Sequence, residues 1–413
     1  MTAGASNPPA IVLGGQAIAI PVVRSLATAG VKAHAVGADP AAYDCVAFSR
    51  HVASYTDLGS GDGVVDRWMG WLAEEAPKGA VLLPCSDEAL ELVVRHREQL
   101  EELGHVPIEA DPVVLAAMLD KERTYKLARE VGVPVPRTWV ASADQRSGPD
   151  PEQVAGISFP CAVKPLHSHL FTQRFGVANK LLVADDRHQL REGLARMERL
   201  GLEMAVTEII PGPDTDLLSY CGYLGDRGEP LTHFTFRKLR QFPIHFGLGC
   251  YVVSDWNEEV IEAGLRFLRG IGLRGLFHLE FKRDHRDGKL KLLECNHRFV
   301  IEATFAPIDL PLLAYNRVLG RPPPQARRYR SGTHLWSPVN DVRALLAYRR
   351  RGELTAIGWL RSLLHRQRFQ TFAWSDPLPA LRFHIAWLAR AVTGRLGRRP
   401  LERPTEPLLA PHR

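Results

Sequence analysis

The segment FHLEFKRDHRDGKLKLLECNHRF, Phe277 to Phe299, constrains this chain more than any other. Its two halves alternate apolar and polar residues around the polar turn DHRDG, the pattern of a β-hairpin. On the first strand His278, Glu280 and Lys282 are expected on one face, with Phe277, Leu279 and Phe281 on the other. On the second, Leu292, Glu294 and Asn296 are expected on one face, with Cys295 pointing to the opposite side. A turn centred on Asp287 sets Glu280 directly across from Glu294. Like charges facing each other across a strand pair are destabilising, by roughly 3 kcal/mol at ~5 Å and an effective dielectric of ~20. Something must offset that repulsion: a raised carboxyl pKa, nearby cations, or a divalent metal ion. Two carboxylates and the Asn296 amide form an all-oxygen set suited to a hard cation such as magnesium. Lys282, Lys289 and Lys291 offer the plainer alternative of a neutralised surface hairpin.

The rest of the chain supplies a setting. A length of 413 residues suggests two to three domains. The N-terminal part reads as α/β: AIVLGG is a short strand ending in Gly14-Gly15, a helix follows to Gly30, and VKAHAVG is the next strand. The glycine pair lacks the third glycine of a dinucleotide fingerprint, so a tight strand-to-helix turn is the simpler reading. AVLLPCSDEALELVVRHREQL repeats the pattern, with Ser86 or Asp87 capping the second helix. Asp111-Pro112 opens a further helix, and Asp120 caps one that ends at Gly132. Lys121 then stands at a helix N-terminus, which favours an anion, or is a surface lysine. Lys164 emerges from the apolar strand of FPCAVKP, where an ammonium needs either a partner such as phosphate or a path to solvent. TEIIPGPDTD breaks a strand at Pro211-Gly212-Pro213, with Glu208 before the break and Asp214 and Asp216 after it.

Taken in order, Lys121, FPCAVKP, TEIIPGPD and LEFKRD…LLECNHR resemble the ATP-grasp superfamily of carboxylate–amine ligases, nearest to the D-aspartate ligase and carbamoyl-phosphate-synthase-like branch. The resemblance spans residues 10–325. It implies a mixed α/β and α+β fold. A Rossmann-like N-terminal domain (1–118) would precede a two-part ATP-grasp core, with a small subdomain (119–205) and a metal- and ATP-binding subdomain (206–325). A basic helical extension (326–413) would follow. It further implies that Lys121 and Lys164 bind ATP phosphates, that Glu208 with the backbone of Ile209 and Ile210 reads adenine, and that Asp214 holds the ribose. Glu280, Glu294 and Asn296 would bind Mg²⁺, with Mn²⁺ as the alternative ion. Arg298 would steady the transferred phosphoryl group, and Lys238 and Arg240 would contact phosphate or substrate carboxylate. Glu302 would accept a proton from the nucleophile or serve as an ion-pair partner. The chain departs from the pattern after Lys164, where LHSHLFTQRFGVANK holds one glycine and bulky side chains, and His167 and His169 either meet substrate or are solvated.

The implied reaction activates a carboxylate as an acyl phosphate and couples it to an amine, with release of ADP and phosphate. The alternatives are activation of bicarbonate or a small carboxylate, a non-catalytic nucleotide module, and, more remotely, a nicotinamide-dependent oxidoreductase. Expected partners are a small carboxylate and an amine; a homodimer is the default assembly.

Charge is unevenly distributed. Residues 340–413 hold 14 arginines, no lysine and 5 acidic residues, a net charge of +9 in a chain whose total is +6. With no zinc finger or recognition-helix pattern, this is weak support for nucleic acid, and none is expected. The C-terminal extension reads as amphipathic helices, packed on the core at a dimer interface or forming a peripheral surface for a membrane or an acidic partner. The last residues, LERPTEPLLAPHR, are expected to be disordered. Six scattered cysteines without a CxxC pair, no basic-apolar leader and no apolar run of 18 residues suggest a cytoplasmic protein.

Overall fold

The computed structural model describes residues 7–39, 44–108, 111–140, 156–165, 181–199 and 204–396. The expectations for the loop after Lys164, with His167 and His169, and for the final LERPTEPLLAPHR lie outside them. Three sheets organise the chain.

The first is parallel, in the order β3(Val52–Asp57), β2(Ala33–Gly37), β1(Ala10–Leu13), β4(Val81–Pro84), β5(Val106–Pro107). Its central strand AIVL is fully buried, as a parallel strand covered by helices on both faces must be. Strand order reverses between β1 and β4, the doubly wound arrangement. Gly14-Gly15 turns the chain there at positive φ (66° and 88°), and a Cβ on Gly15 would come 2.2 Å from the Cys85 side chain. That close approach accounts for the glycine pair. The Ser86 hydroxyl caps the helix Asp87–Glu102 by accepting from the Ala89 amide at 3.3 Å.

The second sheet is small and antiparallel: β6(Thr138–Val140), β9(Met204–Glu208), β7(Cys161–Pro165), β8(Leu182–Ala184). Leu190 and Leu194 of the helix Arg187–Arg199 pack on Cys161, Val163 and Val206.

The third sheet has seven strands, in the order β14(Leu290–Asn296), β13(Gly275–Arg283), β10(Leu217–Leu224), β11(Pro230–Phe242), β12(Leu248–Ser254), β15(His334–Trp336), β16(Gln367–Phe369). One face buries Tyr220, Phe277, Leu279 and Phe281 against the helices Glu258–Gly270, Pro112–Leu119 and Lys121–Glu130. The other carries Cys221, Tyr223, Phe234 and Phe236 into the same core as Val12, Ala35 and Leu83 of the first sheet. The N-terminal α/β unit and the large sheet are thus joined by a shared hydrophobic core.

Two expectations are corrected. The segment after residue 326 is not only helical, because β15 and β16 extend the large sheet beyond β12. The helix Pro338–Arg350 lays Ala344 and Tyr348 against Cys250, and Asp376 reaches back to Arg24 (2.9 Å) and Ser49 (2.7 Å) of the N-terminal unit. The strict alternation expected along the second hairpin strand also fails. Glu280 pairs with Glu294, but Phe281 pairs with Leu292, so Leu293 is a bulge residue. Leu292 therefore joins Cys295 and Phe281 in the core instead of sharing a face with Glu294. All six cysteines are buried and unpaired, and among the described residues no helix is long and apolar enough to cross a membrane.

Candidate functional site

The hairpin Gly275–Asn296 sets Glu280 opposite Glu294 and His278 opposite Asn296, in the register expected from the sequence. The bulge beside the paired glutamates is pinned from outside the sheet. The Tyr125 hydroxyl donates to the Leu293 carbonyl (2.9 Å), and the Leu292 amide donates to the Pro134 carbonyl (2.8 Å). The Lys238 ammonium lies 2.5 Å from Glu280 and supplies part of the charge compensation that the paired carboxylates need. Burial alone would lower the Lys238 pKa, but Glu280 outweighs it and holds the ammonium above its ordinary value.

Lys121 and Lys164 reach the same place from separate elements. Lys121 is the first residue of its helix, whose N-cap Asp120 accepts from the Glu122 and Arg123 amides. It lines a small cavity of about 40 Å³ together with Asp87, Tyr125, Glu294 and Asn296. Lys164 is the penultimate residue of β7, and its pKa is pushed down to about 8 by burial and then by the charge of Lys121, with Glu294 and Glu280 pulling the other way.

Arg298 donates through Nε to Asp87 at 2.5 Å, so the first turn of the N-terminal helix Asp87–Glu102 borders the site. Glu302, in the 3-10 turn Ile301–Phe305, is buried near Lys238, Glu280 and Arg298. Burial raises its carboxyl pKa to about 7, so it exchanges a proton near neutrality.

Other expected residues sit elsewhere. Arg240 is not brought to this cluster. Lys238 pairs with Val252 and Arg240 with the adjacent Tyr251, so a second bulge, in β11, turns the two cations to opposite faces. The Arg240 guanidinium instead makes a bidentate pair with the fully buried Asp341 (2.6 and 2.8 Å) and donates to Ser362 at 2.9 Å. Asp214 is buried and accepts from the His245 backbone amide (3.1 Å) and the Tyr348 hydroxyl, with the His245 ring 3.2 Å away. Burial pushes its pKa up, but the His245 and Tyr348 bonds overcome this and set it at about 2. Glu208 accepts from the Arg137 amide (2.9 Å) and Arg286 (3.0 Å), with Lys291 at 3.4 Å, at the base of the hairpin turn. Ile209 and Ile210 lie between β9 and the 3-10 turn Asp214–Asp216, and Lys282 ties this segment down through the Gly212 carbonyl at 2.8 Å.

Two site residues were missed in the sequence. Asp87 was read only as a helix cap, because its partner Arg298 is 211 positions away. His278 lies on the same strand face as Glu280, a signal the alternation did contain. Its ring stacks on Phe236 (6.0 Å between centroids), Asn296 approaches Nδ1 at 3.5 Å, and burial pushes its pKa down to about 4, which keeps it neutral. Its Nε2 is buried without a hydrogen-bond partner.

Among the described residues no group of three His, Cys, Asp or Glu side chains forms a closed cage. Glu280, Glu294 and Asn296 lie on paired positions of the one hairpin, with oxygen donors of the type a hard cation takes.

No protein-family model matches this chain. Over 226 residues it is 27% identical to the D-aspartate ligase of Enterococcus faecium, which covers 54% of this chain and 53% of that protein. Over 224 residues it is 25% identical to the D-alanine–D-alanine ligase of Alcanivorax borkumensis, covering 51% and 62%. The chain thus spans between about half and three-fifths of the length of these curated relatives. Among solved structures it resembles carboxyaminoimidazole ribonucleotide synthase from Aspergillus clavatus complexed with ATP. That match has a TM-score of 0.59 at 13% identity and covers 79% of this chain and 80% of that one. The resemblance to ATP-grasp carboxylate–amine ligases read in the hairpin and the lysines is matched by relatives in both sequence and fold.

Proposed function

We propose that this ATP-grasp chain is an ATP-dependent ligase that activates a carboxylate as an acyl phosphate and joins it to an amine, releasing ADP and phosphate. The observation that carries the reading is the convergence of Lys121, Lys164, Lys238, Glu280, Glu294, Asn296, Arg298 and Glu302, from separate elements, around the Glu280–Glu294 pair. Phosphoryl transfer asks for cations placed around spreading negative charge more than for covalent help from the protein. Both named sequence relatives are ligases of amino acids, which supports an amino acid on at least one side of the new bond.

Lys121 and Lys164 would hold the phosphates of ATP, and a bound anion would favour the charged form of Lys164 that burial and Lys121 disfavour. Glu280, Glu294 and Asn296 would hold Mg²⁺, which would neutralise charge on the terminal phosphates. Arg298, fixed by Asp87, would face the oxygens of the transferred group, and Lys238 would orient Glu280. Glu302, with a pKa of about 7, would take the proton from the attacking amine. Glu208 with Ile209 and Ile210 would border adenine, and Asp214 would reach ribose by exchanging its His245 or Tyr348 bond. On this reading residues 1–118 form the N-terminal domain, 119–205 and 206–325 the two parts of the grasp, and 326–413 an extension locked onto them.

ADP and phosphate release with Mg-ATP, measured against pooled L- and D-amino acids and small carboxylates with mass spectrometry of products, tests the reading. Substrate-dependent ADP together with a conjugate lighter by one water than its two parts is expected. ADP that depends on bicarbonate and yields no conjugate would replace amide formation with bicarbonate activation.

A further inference from the structure

Val113, Phe246, Leu248 and Trp256 aside, the exposed large hydrophobic side chains among the described residues all lie after Asn340. Trp374 is 92% exposed and Leu364 83%. Leu378, Leu381, Ile385 and Leu388 repeat every three or four positions along the helix Leu378–Leu396 and form one outward stripe, each about half exposed or more. The buried side of that helix, with Ala380 at 2% exposure, packs on the turn Cys45–Phe48, so the stripe is not its folding surface. Phe369, Phe372 and Trp374 form a second apolar strip of edge-on rings, 5.7 and 5.0 Å apart.

The same region is cationic on its outside. Residues 340–389 contain eight arginines, all exposed, and three acidic residues. Asp341 and Asp376 are buried in ion pairs with Arg240 and Arg24, so Glu353 alone among the three reaches the surface.

We propose that this outer face docks on an anionic lipid surface, with the leucine stripe and Trp374 entering the acyl boundary and the arginines meeting the headgroups. A second copy of the chain fits poorly, because a two-fold interface would set this cationic surface against itself. A protein partner would need a pocket matched to each protruding side chain. An acyl layer buries all of them in any register, and its negative surface supplies the opposite charge. With no described helix able to span a bilayer, the contact is peripheral.

Flotation of the full chain with phosphatidylcholine vesicles, with and without phosphatidylglycerol, tests this independently of the ligase reading. Co-flotation with the anionic vesicles is expected, at least about tenfold stronger than with the neutral ones and weakened by salt. The combined Trp374→Ser, Leu381→Ser and Ile385→Ser variant, with an unchanged thermal unfolding midpoint, should lose it. Absence of flotation, or equal flotation with both vesicles, would overturn the proposal. So would a wild-type dimer that dissociates on Leu381→Glu with Ile385→Glu, which would assign the face to a second copy. Binding to poly-glutamate that equals vesicle binding and survives the triple serine variant would assign it to an acidic chain.

Discussion

Lys238 and Arg240 stand two positions apart on one strand and enter opposite electrostatic worlds. Lys238 faces a cluster in which two carboxylates oppose each other, a neutral histidine keeps an unpartnered nitrogen, and a buried carboxyl has a pKa near 7. Arg240 faces a closed set: both oxygens of Asp341 accept from it, and Trp336 (2.9 Å) and Trp359 (2.8 Å) donate to the same carboxylate. The first arrangement leaves one buried ring nitrogen, His278 Nε2, without a hydrogen bond. The second is complete within the chain. The contrast separates the proposed site from the scaffold.

The comparison can be broken most forcefully on the scaffold side. Asp341→Ala leaves Arg240 buried without its partner and should cost about 3–5 kcal/mol of unfolding free energy, read as a fall in the urea midpoint. ADP formation by the protein that remains folded should change little. A stable Asp341→Ala protein without activity would place Arg240 in the chemistry after all.

On the site side the pattern reverses. Glu294→Gln should lower ADP formation by about 10²-fold or more. Its unfolding free energy should change by no more than about 1 kcal/mol, because relief of the repulsion with Glu280 is set against lost attraction to Lys164, Lys238 and Arg298. A large stability loss with retained turnover would make Glu294 part of the scaffold.

The finest test concerns Glu302. Below pH of about 7 its carboxyl is protonated and cannot accept a proton; above, it is ionised and can. Turnover should therefore rise with pH through about 7. Glu302→Gln should flatten that limb and slow the reaction by roughly tenfold to a hundredfold at high pH. A pH profile unchanged by the substitution would remove Glu302 from the reaction.

Much of this was legible in the sequence where the information was local. The caps at Ser86, Asp111 and Asp120, the strand β7 carrying Lys164, and the Glu280–Glu294 register all follow from residues close in the chain. What failed was counting by twos along strands. The bulge at Leu293 inserts a residue and moves Leu292 to the other face, while the one between Lys238 and Arg240 separates two cations that the resemblance alone had grouped. Nothing in LKLLECN announces a bulge, since its cause is the grip of Tyr125 and Pro134 from a segment more than 150 residues earlier. Asp87 and the strands β15 and β16 escaped for the same reason: what decides them is a distant partner.

Because β15 and β16 pair beyond β12, the large sheet is finished by residues made more than 80 positions after β12 itself. While the nascent chain leaves the ribosome, β12 offers an open row of amides and carbonyls, a template for unwanted pairing between chains. Removing the C-terminal segment would make that transient hazard permanent. The extension therefore covers a strand edge that would otherwise stay open to pairing between chains.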